Sequence, residues 1–136
     1  MRKLLISLLC ACLSLWSCAR QKPAYVFPQS IATNWNLQSQ QPFQPSSASE
    51  SIRFLAMPKA WTAKYSNGPS QALITVYETV ADAVAFEALQ KWRREKGQMA
   101  VNEGSYFVVV ESLTSDIAEL QTITKAIEAS LKSRSK

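Results

Sequence analysis

From residue 60 onward, apolar and polar positions alternate in runs that define secondary-structure elements. Trp61, Ala63 and Tyr65 point one way and Thr62 and Lys64 the other, a period-two pattern that predicts a half-buried strand. Asn67-Gly68-Pro69-Ser70 is a turn signal, with Gly68 supplying the permissive backbone. Over 71–79, Leu73, Thr75 and Tyr77 oppose Ala72, Ile74 and Val76, so this stretch is the partner strand of an antiparallel hairpin. Just upstream, residues 52–57 (Ile-Arg-Phe-Leu-Ala-Met) form another strand candidate, ended by Pro58.

After the hairpin the period lengthens. Thr79 as cap and Asp82 in the first turn predict a helix running to about Lys96, with Gly97 as its stop. Its apolar stripe is Ala81, Ala85, Ala88, Leu89 and Trp92, with Phe86 alongside, and Glu87 precedes Lys91 by one turn. Residues 98–101 and 106–113 flank Asn102-Glu103-Gly104-Ser105 as a second hairpin. Phe107 to Val110 is apolar on both sides, which places that strand centrally. Ser115 or Asp116 caps a last helix whose stripe is Ile117, Leu120, Ile123, Ile127 and Leu131. The expected order is β-β-β-α-β-β-α. It makes an α+β fold, an antiparallel sheet of about four to five strands with two helices packed on one face, over residues 52–136.

The chain ahead of this pattern is different. Met1-Arg2-Lys3 is a short positive region, and Leu4 to Trp16 is apolar except for Ser7 and Ser14. This run is too short for a bilayer core of about 30 Å, which needs roughly 20 residues, and it fits the apolar stretch of a secretory signal. Residues 18–51 read as a tether, because 38–49 are nearly all Gln, Ser and Pro with nothing periodic to bury. As a flexible coil, 19–51 would span roughly 30 Å. Tyr25, Phe27, Ile31 and Trp35 interrupt the tether; they either dock on the domain as an extra strand, the preferred reading, or serve as a short partner-binding segment.

Leu15-Trp16-Ser17-Cys18 closes the apolar run and resembles the lipobox of bacterial lipoproteins, with Trp16 larger than that position usually holds. The resemblance implies cleavage after residue 17, a diacylglycerol on the Cys18 sulfur, and an acylated new amino terminus. Residues 1–17 would then be the signal peptide, and membrane lipid a partner through Cys18. Leu9-Cys10-Ala11-Cys12 is a second candidate, but lipidation at Cys12 would leave the apolar residues 13–16 exposed, so Cys18 is preferred. An uncleaved anchor, or an ordinary signal with incidental cysteines, is the other way to read the segment. The resemblance also implies a cell-envelope location; in a diderm, Ala19 favours the periplasmic face of the outer membrane. Over 52–131 the order of elements resembles small α+β domains of secreted bacterial proteins, a similarity that implies no activity.

Composition narrows the chemistry. Of the 136 residues none is histidine, which excludes Ser-His-Asp and Cys-His catalysis and every imidazole metal site. Processing at Cys18 leaves one cysteine, too few for an intramolecular disulfide or a thiolate metal site. The formal net charge of +5 suggests nucleic acid until it is located: residues 50–131 hold all ten acids against eight bases, and the surplus sits at the two ends. Nucleic acid is therefore not an expected partner. The run Lys91, Arg93, Arg94, Lys96 reads as a solvated helix end with Glu87 and Glu95 among it.

No phosphate-cradling glycine loop is present, and no cofactor or metal is expected. Thr122 with Lys125 and Ser133 with Lys136 have the spacing of a hydroxyl nucleophile and a lysine base, on a packed helix and at the chain end respectively. Glu78 with Asp82, or Glu103 with Glu111, are the carboxylate pairs available for acid–base work. Trp61, Tyr65 and Tyr77 would line a sugar or peptide surface if their face is open, and core if it is covered. The expectation is a lipid-anchored envelope lipoprotein acting as a non-catalytic binding or assembly module, with an envelope protein or a glycan as partner. The alternative is a small secreted hydrolase using Asp and Glu.

Overall fold

The computed structural model describes residues 24–114 and 116–134, and the hairpin expected from the alternation lies at the middle of its sheet. Strands β3 (Lys59–Asn67) and β4 (Ser70–Glu78) pair antiparallel through the turn at 67–70, with Trp61 opposite Val76 and Tyr65 opposite Ala72. The second hairpin, β5 (Gln98–Glu103) and β6 (Tyr106–Ser112), joins through β6, which pairs with β4. Two strands precede the hairpins, β1 (Ser30–Ile31) and β2 (Trp35–Phe43), and β2 pairs with β3. The sheet is six-stranded in the order β1-β2-β3-β4-β6-β5, every neighbouring pair antiparallel. The fold is α+β, and the expected strand count of four to five rises to six.

The helices are α1 (Asp82–Lys91) and α2 (Ile117–Lys132). Their placement corrects the expectation of two helices on one face. Leu120, Ile123, Ile127 and Leu131 of α2 pack with Ala63, Tyr65, Ile74, Val76, Val108 and Val110. Ala85 and Ala88 of α1 pack with Ala60, Tyr77 and Phe107, the alternate positions of the same strands. The helices therefore cover opposite faces. An interior strand apolar on both sides, such as 107–110, leaves one row wet if both helices share a face, and this arrangement covers both rows.

Two further corrections concern the region before β3. The tether expected over 18–51 holds no tether in its described part: residues 24–51 are built into the domain. Tyr25, Phe27, Ile31 and Trp35 are buried beneath α2, and the Tyr65 hydroxyl donates to the Pro28 carbonyl at 2.7 Å. These four residues dock on the domain, as preferred above. Nor are residues 52–57 a strand. Ile52 and Arg53 amides donate to the Ser49 carbonyl, and the Leu55 amide to that of Ile52, so the segment winds through successive turns. Ile52 and Met57 are buried and Leu55 is packed against the same core on the α1 face.

Local chemistry sets the helix ends. Asp116 caps α2, its Oδ1 accepting from the Ala118 and Glu119 amides at 2.8 and 3.2 Å. Thr79 does not cap α1; its hydroxyl lies 2.9 Å from the Ser105 carbonyl and 2.8 Å from that of Ala81, tying β4 to the β5–β6 turn. Helix α1 stops at Lys91, well short of Lys96, with Trp92 extended as its C-cap. The pairs Glu87–Lys91 and Glu128–Lys132 form as spaced, at 2.6 and 2.9 Å. Among the described residues no helix is long and apolar enough to cross a membrane.

Candidate functional site

Helix α1 and residues 45–57 cover only part of their side of the sheet. Cross-strand register puts Lys64, Leu73, Glu111 and Gln98 in one row on this side, and Thr62, Thr75, Val109 and Ala100 in the next. Beyond the rows capped by α1, the sheet floor stays half open. A groove of about 270 Å³ runs there between the turns around Ser47–Ile52 and the end of α1 at Trp92 and Arg93. Its floor is Leu73, Thr75, Val109 and Glu111, and Tyr77 and Phe43 close one end, their rings edge to face at 5.9 Å. Burial pushes the Tyr77 hydroxyl from 10.0 up to about 12, so it remains a neutral phenol under physiological conditions.

The lining mixes apolar surface from Leu73, Val109 and Trp92 with polar groups from Thr75, Gln98 and Glu111. Such a surface suits an extended chain or ring that carries hydroxyls or amides along an apolar body. Its charged groups are Glu111 on the floor and Arg93 and Glu95 at the mouth. A second depression, about 330 Å³, lies between residues 94–97 and the start of α2. Its helix N-terminus is already occupied by the Asp116 carboxylate, which disfavours an anion there.

The residues singled out from sequence are mostly kept apart. By strand alternation Glu103 lies on the α2 side of the sheet with Met99 and Val101, and Glu111 on the α1 side. Glu78 closes β4 on the α2 side with Ile74 and Val76, whereas Asp82 opens the helix covering the other side. Neither expected carboxylate pair converges. Glu111 and the exposed Glu95 instead line the same groove, a pair unremarkable in sequence because a strand and a turn separate the two residues.

The Thr122 hydroxyl donates to the Ala118 carbonyl one turn back, and that of Ser133 to Ser130, so both are engaged by their own helix. Lys136 lies outside the described residues. Trp61 and Tyr65 face α2 and Tyr77 faces α1, so the three aromatics do not share a surface. Within the basic run, Lys91 pairs with Glu87 and the Arg94 Nε donates to the Gln98 carbonyl at 2.9 Å. Among the described residues no three Cys, Asp or Glu side chains are grouped as for a metal ion. Cys18, the expected lipid attachment site, the signal at 1–17 and the alternative Cys12 lie outside the described residues.

The groove itself was invisible in sequence. One wall is built by residues 47–49, which read as the end of a tether, and by Ile52, which read as the start of a strand; its floor residues stand on two strands joined through α1 and β5. Comparison with protein-family models, with curated proteins and with solved structures finds no match to this chain.

Proposed function

We propose that this protein is an envelope lipoprotein, held to a membrane by lipid on Cys18, whose folded domain is a non-catalytic binding or assembly module. The observation that carries the anchor is Cys18 itself, three residues after Leu15 at the close of an apolar run behind Arg2 and Lys3. Two lipid chains hold a protein at a membrane where one does so only marginally. In a diderm, Ala19 directs the product to the periplasmic face of the outer membrane. Metabolic labelling with a palmitate analogue tests this: the wild type takes up label and Cys18→Ala does not. Label retained in that variant moves the attachment elsewhere, with Cys12 the first place to look.

Supporting the binding role is the mixed lining of the groove, whose partner is an envelope protein segment or a glycan strand. A photo-crosslinking side chain at Gln98, beside the groove, gives a discrete adduct in cells, while the same group at Ser130 on the α2 side does not.

The second reading, a small hydrolase, draws on Glu95 and Glu111 because both line the groove. It requires that Glu111→Gln abolish turnover of a glycan or peptide while leaving its binding intact; loss of binding alone favours the module.

A further inference from the structure

With Cys18 lipidated, as proposed above, only residues 19–23 separate the anchor from the folded domain, because the chain is already held at Tyr25. Tyr25 is 6 % exposed. Its ring lies 4.9 Å from that of Phe27, 5.7 Å from Tyr106 and 6.1 Å from Trp61. The Arg134 guanidinium closes over it at 4.7 Å. From Cys18 to Ala24 the backbone reaches about 20 Å fully extended, and about 12–15 Å as a flexible coil. The domain itself is longer than this leash, since its nine-residue strands run about 30 Å.

The leash starts at one end of the sheet. Ala24 shares a surface depression with Pro58, Lys59 and Trp61. Lys59 is opposite Glu78, and Glu78 opposite Tyr106 at the β5–β6 turn. Val80 belongs to the same end, its amide donating to the Ala56 carbonyl just before Pro58. The turn at 67–70 and the start of α2 lie at the opposite end.

We infer that the end of the domain carrying Ala24, Lys59 and Val80 is its membrane-facing surface, and that a phospholipid leaflet is the partner of that surface. The inference rests on lipidation at Cys18. Val80, 64 % exposed, and Val26, 56 % exposed, offer apolar side chains near the leash. The charges of this end are mixed. Lys59 faces Glu78 across the strands, Lys132 binds Glu128 and feels Glu103, Arg134 sits on Tyr25, and Asp82 is exposed. Such a surface neither strongly attracts nor strongly repels an anionic leaflet, so the short leash sets the approach.

The test uses the full lipidated protein in vesicles of phosphatidylethanolamine and phosphatidylglycerol bearing a headgroup-linked quencher. A fluorophore is attached to Val80→Cys or, at the far turn, to Pro69→Cys. Quenching at Val80→Cys is expected to exceed that at Pro69→Cys about twofold or more, because the strands hold the two sites about 30 Å apart. Inserting a long Gly/Ser stretch after Lys22 is expected to remove most of that difference. Vesicle-bound protein with equal quenching at both sites overturns the inference while leaving the anchor standing. Protein that does not partition onto vesicles, with no palmitate label at Cys18, overturns the anchor and the inference together.

Discussion

The guanidinium of Arg134 lies over the ring of Tyr25, 4.7 Å from its centroid, and donates to the neighbouring Val26 carbonyl. Arg134, two residues beyond the end of α2, thus clamps the first described segment against the sheet, joining positions 109 residues apart. A partly exposed cation–π contact contributes about 0.5–1 kcal/mol and a hydrogen bond about 1 kcal/mol. Arg134→Ala is expected to lower stability by about 1–2 kcal/mol in denaturant unfolding. It should also speed amide exchange at Phe27, whose N–H reaches the Gln40 side chain at 3.4 Å, more than at Val108 in the sheet interior.

Residues 24–51 are as structural as the hairpins, and removal shows it. A chain starting at residue 52 lacks β1, β2 and the buried rings of Tyr25, Phe27 and Trp35, leaving the outer edge of β3 and the sheet beneath it wet. It is expected to be unfolded or aggregated by circular dichroism and sedimentation. Phe27→Ala in the full chain, at a side chain 2 % exposed, is expected to cost about 3–5 kcal/mol. A mere tether tolerates both changes, so a folded truncated chain with unaltered stability returns 24–51 to that role.

Why β2 read as a tether has a physical answer. It lies near the sheet edge, and β1 pairs only with Trp35 and Asn36. Residues 38–42 are exposed and have no need to be apolar. Pro42, which lacks an amide, also suits an unpaired edge. A register shift between Leu37 and Ser39 breaks whatever alternation remained. By contrast β3, β4, β5, β6 and α2 were legible because each carries its apolar rows or stripe, on both faces in the interior strand β6, within a short stretch of chain. Which face each helix covers is not local: the stripes of α1 and α2 look alike until the sheet beneath shows that Tyr77 and Val76 need separate cover. The groove was lost with the tether, since its wall and its floor are distant in sequence.

The buried phenols give the domain an alkaline limit. Burial raises Tyr77 to about 12 and carries Tyr65 further above its ordinary 10.0; it also raises Tyr25, against the opposing pull of the Arg134 cation. A folded pKa above the unfolded one favours the neutral phenol in the native state. This stabilisation is complete below pH about 10 and is lost as pH rises through the folded values. For Tyr77 alone the loss approaches on the order of 2–3 kcal/mol by pH about 12. Urea midpoints followed upward from neutral pH should be flat and then fall steeply past about 10, with a shallower fall in Tyr77→Phe. Identical slopes in the two proteins refute the assignment.

Two glycines with left-handed backbone separate strain from crowding. Gly68, at φ +58° in the β3–β4 turn, has open space where a Cβ would stand, whereas Gly97, at φ +78°, would place one 3.3 Å from the Ser112 carbonyl. That carbonyl is backbone and cannot swing aside, and the Ser112 amide is bound to the Gly97 carbonyl at 2.8 Å, so relief at one atom disturbs the other. Gly68→Ala is expected to cost about 1 kcal/mol from the dihedral alone. Gly97→Ala adds the displacement of β6 from the start of β5 and is expected to cost about 2–3 kcal/mol. Equal losses for the two variants would mean that the chain at 97 relaxes freely and that the groove end beside Gln98 is softer than its hydrogen bonds imply.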